Sequence, residues 1–346
     1  MKHFAGLDVS LKEVSICVVD GDGQVVARGT VPTHPASIEA FFSERKMEPD
    51  RIVHESGQLS IWLHRQLEKL DLPIICIDAR LAHKALSAKL NKSDKADAEG
   101  LAQLARTGWF SEVHIRSEAS DQLHILLNAR ERVVRLRKDL EAHVRGALKT
   151  YGIRLTSISQ RRLRAEFREQ LAKAAERDPF LAVIADSFIP LHETLCAAAE
   201  DFEEELKAIA KESPLARRLM TVPGVGVLVS LGFIATVDHA DRFRRVSDVG
   251  AFLGLTPRRY QSGETDYSGR ISKCGNQAMR VLLFEAASCL IRQVKRFSPL
   301  KSWAVRLAGR KGFKKAAVAT ARKIAVILLT IWKDGTEFEW TKEAKA

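Results

Sequence analysis

A chain of 346 residues that is 46% hydrophobic is long enough for two or three domains, each with its own core. Its five cysteines (Cys17, Cys76, Cys196, Cys274, Cys289) are scattered and form no Cys-x-x-Cys pair, which argues against a zinc site or a disulfide framework and for a reducing cytoplasm. Net charge is +12, but residues 214–333 alone carry 22 Lys and Arg against 6 Asp and Glu, a net of +16, so the remainder sums to −4; so concentrated a positive field suits a polyanion, most simply nucleic acid.

The opening "MKHFAGLDVS" moves straight into a strand-like pattern and lacks a signal peptide's apolar core and cleavage site. No apolar run reads as long enough to span a membrane, so no membrane partner is expected. Three β-rich runs follow one another: "HFAGLDVS", "VSICVVD" and "QVVARGTVP", with "DGDGQ" as a hairpin signal between the last two. A helix at about Ser37–Lys46, the strand "RIVHE", an amphipathic helix at Leu59–Leu70 and the strand "LPIICID" come next. A helix that begins near Asp94 closes the unit. A three-strand meander followed by alternating helices and strands is the order of an RNase H-like fold. A doubly wound nucleotide-binding domain would want a glycine-rich turn after its first strand, and "DVSLKE" is none.

From about Glu118 the pattern becomes helical. Leu126, Val133, Leu140 and Ala147 recur every seven residues, with Ala129 and Leu136 between them. Leu181, Ile184, Phe188, Leu191, Leu195, Ala198, Phe202 and Ile209 follow a second heptad rhythm. Pro190 inside it should kink or break the helix. The two helices read as a helical hairpin or coiled-coil arm, joined through "YGIRLTSISQ" and a short basic helix. The arm packs on itself or on a second copy. Near Ser213 a third part begins. "LMTVPGVGVLVSLGFIATV" places a Pro-Gly-x-Gly turn between helical segments and resembles a helix-hairpin-helix, in which glycines such as Gly224 and Gly226 let backbone N–H groups approach a phosphate. Then come "VSDVGAFLGL", an irregular stretch "TPRRYQSGETDYSGRISKCGN", and helices from Gln277 to Lys333.

The stretch "NKSDKADAEGLAQLAR" sets Asp94 and Asp97 three residues apart at a helix head, with Lys92 and Lys95 among them. Two readings are open. Acids suit the positive end of a helix dipole. Alternatively the pair holds a metal ion while the lysines meet a phosphate. Asp8 in the first strand and Glu55 at the end of "RIVHE" favour the second reading. In an RNase H-like sheet those positions converge, and four gathered carboxylates repel one another unless cations occupy the cluster. Oxygen ligands select Mg²⁺ or Mn²⁺, which can stabilise a developing oxyanion. Ser262 is a candidate nucleophile in a stretch with Arg258, Arg259, Arg270 and Lys273, whose charges could neutralise a phosphodiester. The plain alternative is a Ser-Gly turn.

Taken together, "GLDVS", "VHESG", "KSDKADA", "VPGVG", "FLGLTPRRYQSG" and "ISKCGN" resemble, in order and over nearly the whole chain, the motifs of the insertion-sequence-110 family of transposases. The resemblance implies an α/β plus all-α architecture. Residues 1–112 would form a RuvC-like DEDD metal-binding domain, 113–212 a coiled-coil arm, 213–335 a mostly helical transposase domain with the serine nucleophile, and 336–346 a tail. It implies that the DEDD acids are Asp8, Glu55, Asp94 and Asp97 and that Ser262 attacks DNA. It further implies a homo-oligomer, dimer or tetramer, whose active site combines acids of one subunit with the serine of another. A structured bridge RNA would pair with donor and target DNA in the cytoplasm or nucleoid of a bacterium or archaeon. A site-specific invertase of the same family, or a Holliday-junction resolvase-like nuclease using water, would share much of this pattern.

Overall fold

A computed structural model describes residues 2–86, 94–158, 160–262 and 265–340, and it divides the chain into two compact units, Met1–Arg116 and Ser117–Ala346. The first unit runs β1 (His3–Val9), β2 (Glu13–Asp20), β3 (Val25–Pro32), α1 (Pro35–Ser43), β4 (Arg51–Glu55), α2 (Ser60–Glu68), β5 (Ile74–Ile77), α3 (Ala79–Leu86) and α4 (Asp94–Thr107). The strands form one sheet in the order β3-β2-β1-β4-β5. β1, β2 and β3 pair antiparallel, while β4 joins β1 and β5 joins β4 in parallel. The meander followed by crossovers is the arrangement expected from the sequence. The antiparallel strands need only short turns, and the parallel ones need the intervening helices.

Strand alternation sorts the side chains onto two buried faces. Ala5, Leu7, Val14, Ile16, Val18 and Ile52 meet Ile38, Phe41 and Phe42 of α1 and Leu63 and Leu67 of α2. Phe4, Cys17, Val19 and Val53 meet Ala98, Leu101, Ala102 and Ala105 of α4. β2 is therefore covered on both sides, which explains its near-continuous apolar run.

The second unit starts with α5 (Glu118–Ala147), α6 (Leu163–Ala175) and α7 (Pro179–Glu212). Ser117 caps α5, and its backbone N–H donates to the buried Asp238 carboxylate at 3.0 Å. α7 runs unbroken past Pro190, so the expected break is absent. α7 also corrects the expectation that no stretch is apolar enough to cross a membrane, because an 18-residue window in it reaches a mean hydropathy of 1.4. That helix nevertheless packs against α5 and α6.

The buried seam of the arm keeps part of the stripe read in the sequence, with Leu126, Leu181, Ile184, Phe188 and Ile209 packed into it, and departs from it elsewhere. On α5 the residues facing the partner helix include Arg137, Glu141 and Val144, whereas Leu136 is 42% exposed and Ala147 is exposed. On α7 they include His192, Cys196, Ala199, Leu206 and Ala210, whereas Leu191 is 47% exposed. Where it departs, the seam lies one residue later than the apolar stripe. Consequently polar groups fill part of it. His192 Nε2 lies 3.0 Å from Glu141 Oε1, and Arg137 lies 3.5 Å from the same carboxylate oxygen. Arg130 also pairs with Glu203 at 2.5 Å. Heptad reading follows hydrophobicity alone, so a seam held by ion pairs escapes it.

The unit continues with α8 (Pro214–Leu219), α9 (Val227–Val237), α10 (Val249–Phe252), β6 (Pro257–Ser262), β7 (Thr265–Ile271), α11 (Gln277–Arg292), α12 (Pro299–Lys311) and α13 (Phe313–Asp334). Its core is mainly apolar: Phe233 and Val237 of α9 pack with Leu283, Ala287 and Leu290 of α11 and with Ile324, Leu328 and Leu329 of α13, while Ser230 and Thr320 are buried on α9 and α13. α5 and α7 also pack on α9, so the arm shares this unit's interior. The stretch read as irregular is in part a two-stranded antiparallel ribbon, β6–β7. Its described residues are largely exposed and show no apolar alternation, so the pattern that marks a strand is missing there.

Candidate active site

The acids of the first unit are placed by strand parity. Phe4 and Gly6 face α4, so Asp8, two residues further along β1, stands on the same face. On β4, Val53 faces α4 and so does Glu55, while Ile52 and His54 face α2. β1 and β4 are neighbours with Leu7 opposite His54, so Asp8 and Glu55 lie side by side at the ends of two parallel strands. Both line one cavity of about 240 Å³, together with Ser10, Ser56, Gly57 and Ser60. The rim is fastened locally. The Ser10 hydroxyl donates to the Glu13 carbonyl at 2.7 Å, the Ser56 backbone N–H donates to the Ile77 carbonyl at 2.9 Å, and the Ser60 hydroxyl donates to the Gly57 carbonyl at 2.8 Å.

Gly6 decides how close α4 comes. A Cβ at that position would lie 2.2 Å from the Ala98 carbonyl oxygen and 2.4 Å from the Ala102 nitrogen. The helix therefore rests on bare strand backbone, with Asp94 and Asp97 in its first turn. Position 97 is one helical turn from Leu101, which packs on the sheet, and it is half-buried. Asp94 is described in backbone only, as is Lys95, and Lys92 lies outside the described residues. Among the described residues, no three His, Cys, Asp or Glu side chains form a group able to hold a metal ion.

The sequence pattern did not single out His54 and His64. His54 is fully buried behind Glu55, and its Nε2 lies 3.3 Å from His64 Nδ1 on α2. Burial, reinforced by the neighbouring His64 ring, lowers its pKa to about 4, so at neutral pH it is an uncharged link between β4 and α2. Only the position inside "RIVHE" hinted at it.

The serine region is built differently. Ser262 ends β6, opposite Thr265 of β7, and its side chain lies outside what the structure describes. The base of the ribbon is locked by two tight backbone crossings. A Cβ on Gly254 (φ +66°) would lie 2.1 Å from the Cys274 carbonyl oxygen, and one on Gly275 (φ +77°) 2.1 Å from that of Phe252. Arg280 donates to the Cys274 carbonyl at 2.7 Å and to the Gly275 carbonyl at 3.1 Å. Of the basic residues, Arg258 donates to the Ser272 carbonyl at 3.1 Å, whereas Arg259 makes a two-pronged pair with Asp266 at 3.0 and 2.6 Å. That pairing holds the Asp266 carboxyl below its usual range and offsets a cation that the sequence pattern alone offers to a phosphate. Arg270 and Lys273 are exposed.

Gly224 and Gly226 lie in the turn between α8 and α9 but have different surroundings. A Cβ on Gly224 (φ +87°) would meet the Ala286 carbonyl at 2.4 Å, so packing on α11 accounts for this glycine. Gly226 opens α9 and has open space beside it.

Two family models match the chain: one described as a transposase of the DEDD IS110 type over residues 5–153, and "Transposase IS116/IS110/IS902 family" over residues 216–301. The transposase for insertion sequence element IS1111A of Coxiella burnetii is 29% identical over 330 residues, 93% of this chain and 87% of that protein. The transposase for insertion sequence element IS1328 of Yersinia enterocolitica is 27% identical over 252 residues, 72% of this chain and 74% of that protein. Among solved structures, RuvC of Thermus thermophilus aligns with 32% of this chain and 99% of its own, at 14% identity and a TM-score of 0.26. With both family models matched in order and a relative aligned along nearly its full length, the chain belongs to the IS110 family of transposases.

Proposed function

We propose that this transposase is a divalent-metal-dependent DNA recombinase that cuts and rejoins strands through a serine–phosphate intermediate. The observation that carries the reading is the convergence of Asp8 and Glu55 on one cavity, on the sheet face against which Gly6 seats α4 and its acidic first turn. In this reading the first unit is RNase H-like, of the RuvC kind. Two carboxylates among serine hydroxyls are hard oxygen donors, the set preferred by Mg²⁺ or Mn²⁺. Asp8 and Glu55 would hold the ion, joined by Asp94 and Asp97 as the family resemblance implies. When bound, it supplies positive charge that neutralises the phosphodiester and stabilises the leaving oxygen.

Ser262 then supplies the nucleophile. Its oxygen bonds to phosphorus as one bond from phosphorus to a deoxyribose oxygen breaks; the serine proton passes to a nearby base and the leaving oxygen takes up a proton. A hydroxyl of the exchanged strand reverses the step and frees the serine, so bond energy is conserved without a high-energy cofactor. The family resemblance extends the proposal to the partners. A structured bridge RNA pairs with donor and target DNA, and two or more copies bring the acids of one to the serine of another. Lys92, Lys95, Gly226, Arg258, Arg270 and Lys273 serve as phosphate contacts, with the +16 segment as the surrounding field. The work is done on chromosomal DNA in the cytoplasm.

The test is strand exchange on DNA carrying the gene's own flanking sequences, with Mg²⁺ and RNA transcribed from those flanks. Wild type should give a protein–DNA band that survives denaturation and vanishes with protease. Ser262→Ala should bind DNA and give no such band. Cutting that persists in Ser262→Ala would replace this reading with water-driven hydrolysis.

A further inference from the structure

Two of the chain's three tyrosines, Tyr260 and Tyr267, sit opposite each other on the β6–β7 ribbon. Their rings are stacked, with centroids 4.9 Å apart and planes 18° from parallel. Both are exposed, at 45% and 56%. A cross-strand aromatic pair stabilises a ribbon, yet here about half of the two residues' surface remains in water. A buried pair would serve stability alone at least as well. Gly269 adds a second detail. A Cβ there would lie 3.1 Å from the Tyr260 ring, so the glycine lets that ring lie flat along β7.

Register links the rings to the candidate nucleophile. Ser262 is two residues beyond Tyr260 on β6, and its partner Thr265 is two residues before Tyr267 on β7. All four positions therefore belong to one face of the ribbon, with Arg259, Gln261, Asp266 and Ser268 on the other. Two residues of strand span about 7 Å, roughly two base-stacking steps of about 3.4 Å along a strand. A phosphate presented at position 262 would thus bring a neighbouring base within reach of the tyrosines. Lys273 and Arg270, both exposed, supply cations along the same ribbon and its exit. Aromatic faces beside cations are the ordinary means of holding single-stranded nucleic acid.

We propose that Tyr260 and Tyr267 form a stacking platform for an unpaired nucleobase of the DNA strand next to the phosphate presented to Ser262. The proposal rests on the serine reading only for its location; binding of the base is independent of it. The platform requires a base that is out of its duplex, so it predicts that the strand is locally opened when it is cut.

The probe is a mixed-sequence 14-nucleotide single strand carrying one 2-aminopurine and a terminal fluorophore, compared with its duplex. Wild-type full-length chain should quench the 2-aminopurine in the single strand and not in the duplex. Tyr260→Phe and Tyr267→Phe, which keep the aromatic faces, should bind within about twofold of wild type, while the Tyr260→Ile/Tyr267→Ile double variant, still strand-forming, should lose about tenfold in affinity together with the quench. Ser262→Ala should bind and quench as wild type does. Because an altered ribbon could mimic lost stacking, wild type is also photocrosslinked to a single strand carrying 5-iododeoxyuridine. The crosslink should fall on Tyr260 or Tyr267, and a crosslink confined to other peptides overturns the proposal. Wild-type-like affinity and quench in the double isoleucine variant, or equal quench in the duplex, overturns it as well. If Ser262→Ala still forms the covalent band while the tyrosine results hold, the nucleophile assignment falls and the nucleobase site stands.

Discussion

The acid face of the first unit and the serine ribbon of the second are built on opposite plans. Asp8 and Glu55 end central strands of a five-stranded sheet covered on both faces, and each strand position has one permitted side. Ser262 ends a two-stranded ribbon whose described residues are largely exposed and whose base is tied down by glycine crossings. Under the proposed function the difference is useful: metal ligands must hold their geometry to fractions of an ångström, as a packed sheet allows, and a group that meets a bulky polymer must stand clear of the core, as a ribbon allows. Core packing fixes the strands that carry the acids, whereas close backbone crossings fix only the base of the ribbon that ends in the serine.

The largest expected effect probes this contrast. Gly6→Val should push α4 off the sheet, because the nearest atoms are helix backbone and cannot swing aside. We expect about 3 kcal/mol or more of lost stability in the first unit and complete loss of strand cutting, read by urea denaturation and the exchange assay. Gly254→Ala makes an equally close clash at the ribbon base and also strains a left-handed residue. It should end exchange while leaving the first unit's unfolding transition unchanged. A common loss of stability in both variants would erase the distinction.

Next come the acids. Asp8→Asn and Glu55→Gln should each lower strand cutting by about 100-fold or more, since charge stabilisation at the phosphate is lost. Both changes keep the side-chain shape, so the fold should stay intact and the loss of cutting should report on the chemistry. Protection of the first unit by Mg²⁺ in thermal unfolding should weaken in both. Undiminished cutting would move the metal site away from this face.

The arm offers a third, intermediate effect. Glu141→Leu leaves Arg137 and His192 buried without their carboxylate and should cost about 3 kcal/mol. Replacing Arg137, Glu141 and His192 together by apolar residues of similar size should restore or exceed wild-type stability, which would show that the polar seam sets register more than strength. The same cluster predicts a pH response. Burial opposes a charge on His192, but hydrogen bonds with Cys196 and Glu141 outweigh it and raise its pKa above 6.5. A raised histidine pKa contributes stability that is complete below 6.5 and fades as pH climbs through the folded-state value. Denaturation midpoints of the second unit should fall over that upward range, and the slope should vanish in His192→Leu.

The smallest effect is expected at the ribbon surface. Asp266→Asn releases Arg259 from its exposed pair. Stability should not change measurably, while DNA affinity should rise slightly and its salt dependence steepen by about one counterion.

The alternation in "HFAGLDVS" and "RIVHE", and the run of apolar residues in "VSICVVD", determined the first unit's strands from sequence alone, because a strand covered on both faces leaves little freedom in which residue goes where. The excess of cations after Pro214 and the acids at element ends were equally legible, since charge and spacing need no fold to be read. The polar part of the arm's seam was not, because Arg137, Glu141 and His192 become acceptable in an interior only when the opposite helix brings their partners within hydrogen-bond distance. The strands around Tyr260 and Tyr267 were also hidden, as nothing in a ribbon open to solvent forces an apolar pattern. Nor could the motif glycines be told apart by sequence. Gly6 and Gly254 are fixed by backbone from distant elements at 2.2 and 2.1 Å, while Gly226 faces open space. Sequence determines what burial of a single residue type dictates; contacts between residues far apart in the chain exist only once the tertiary structure brings them together.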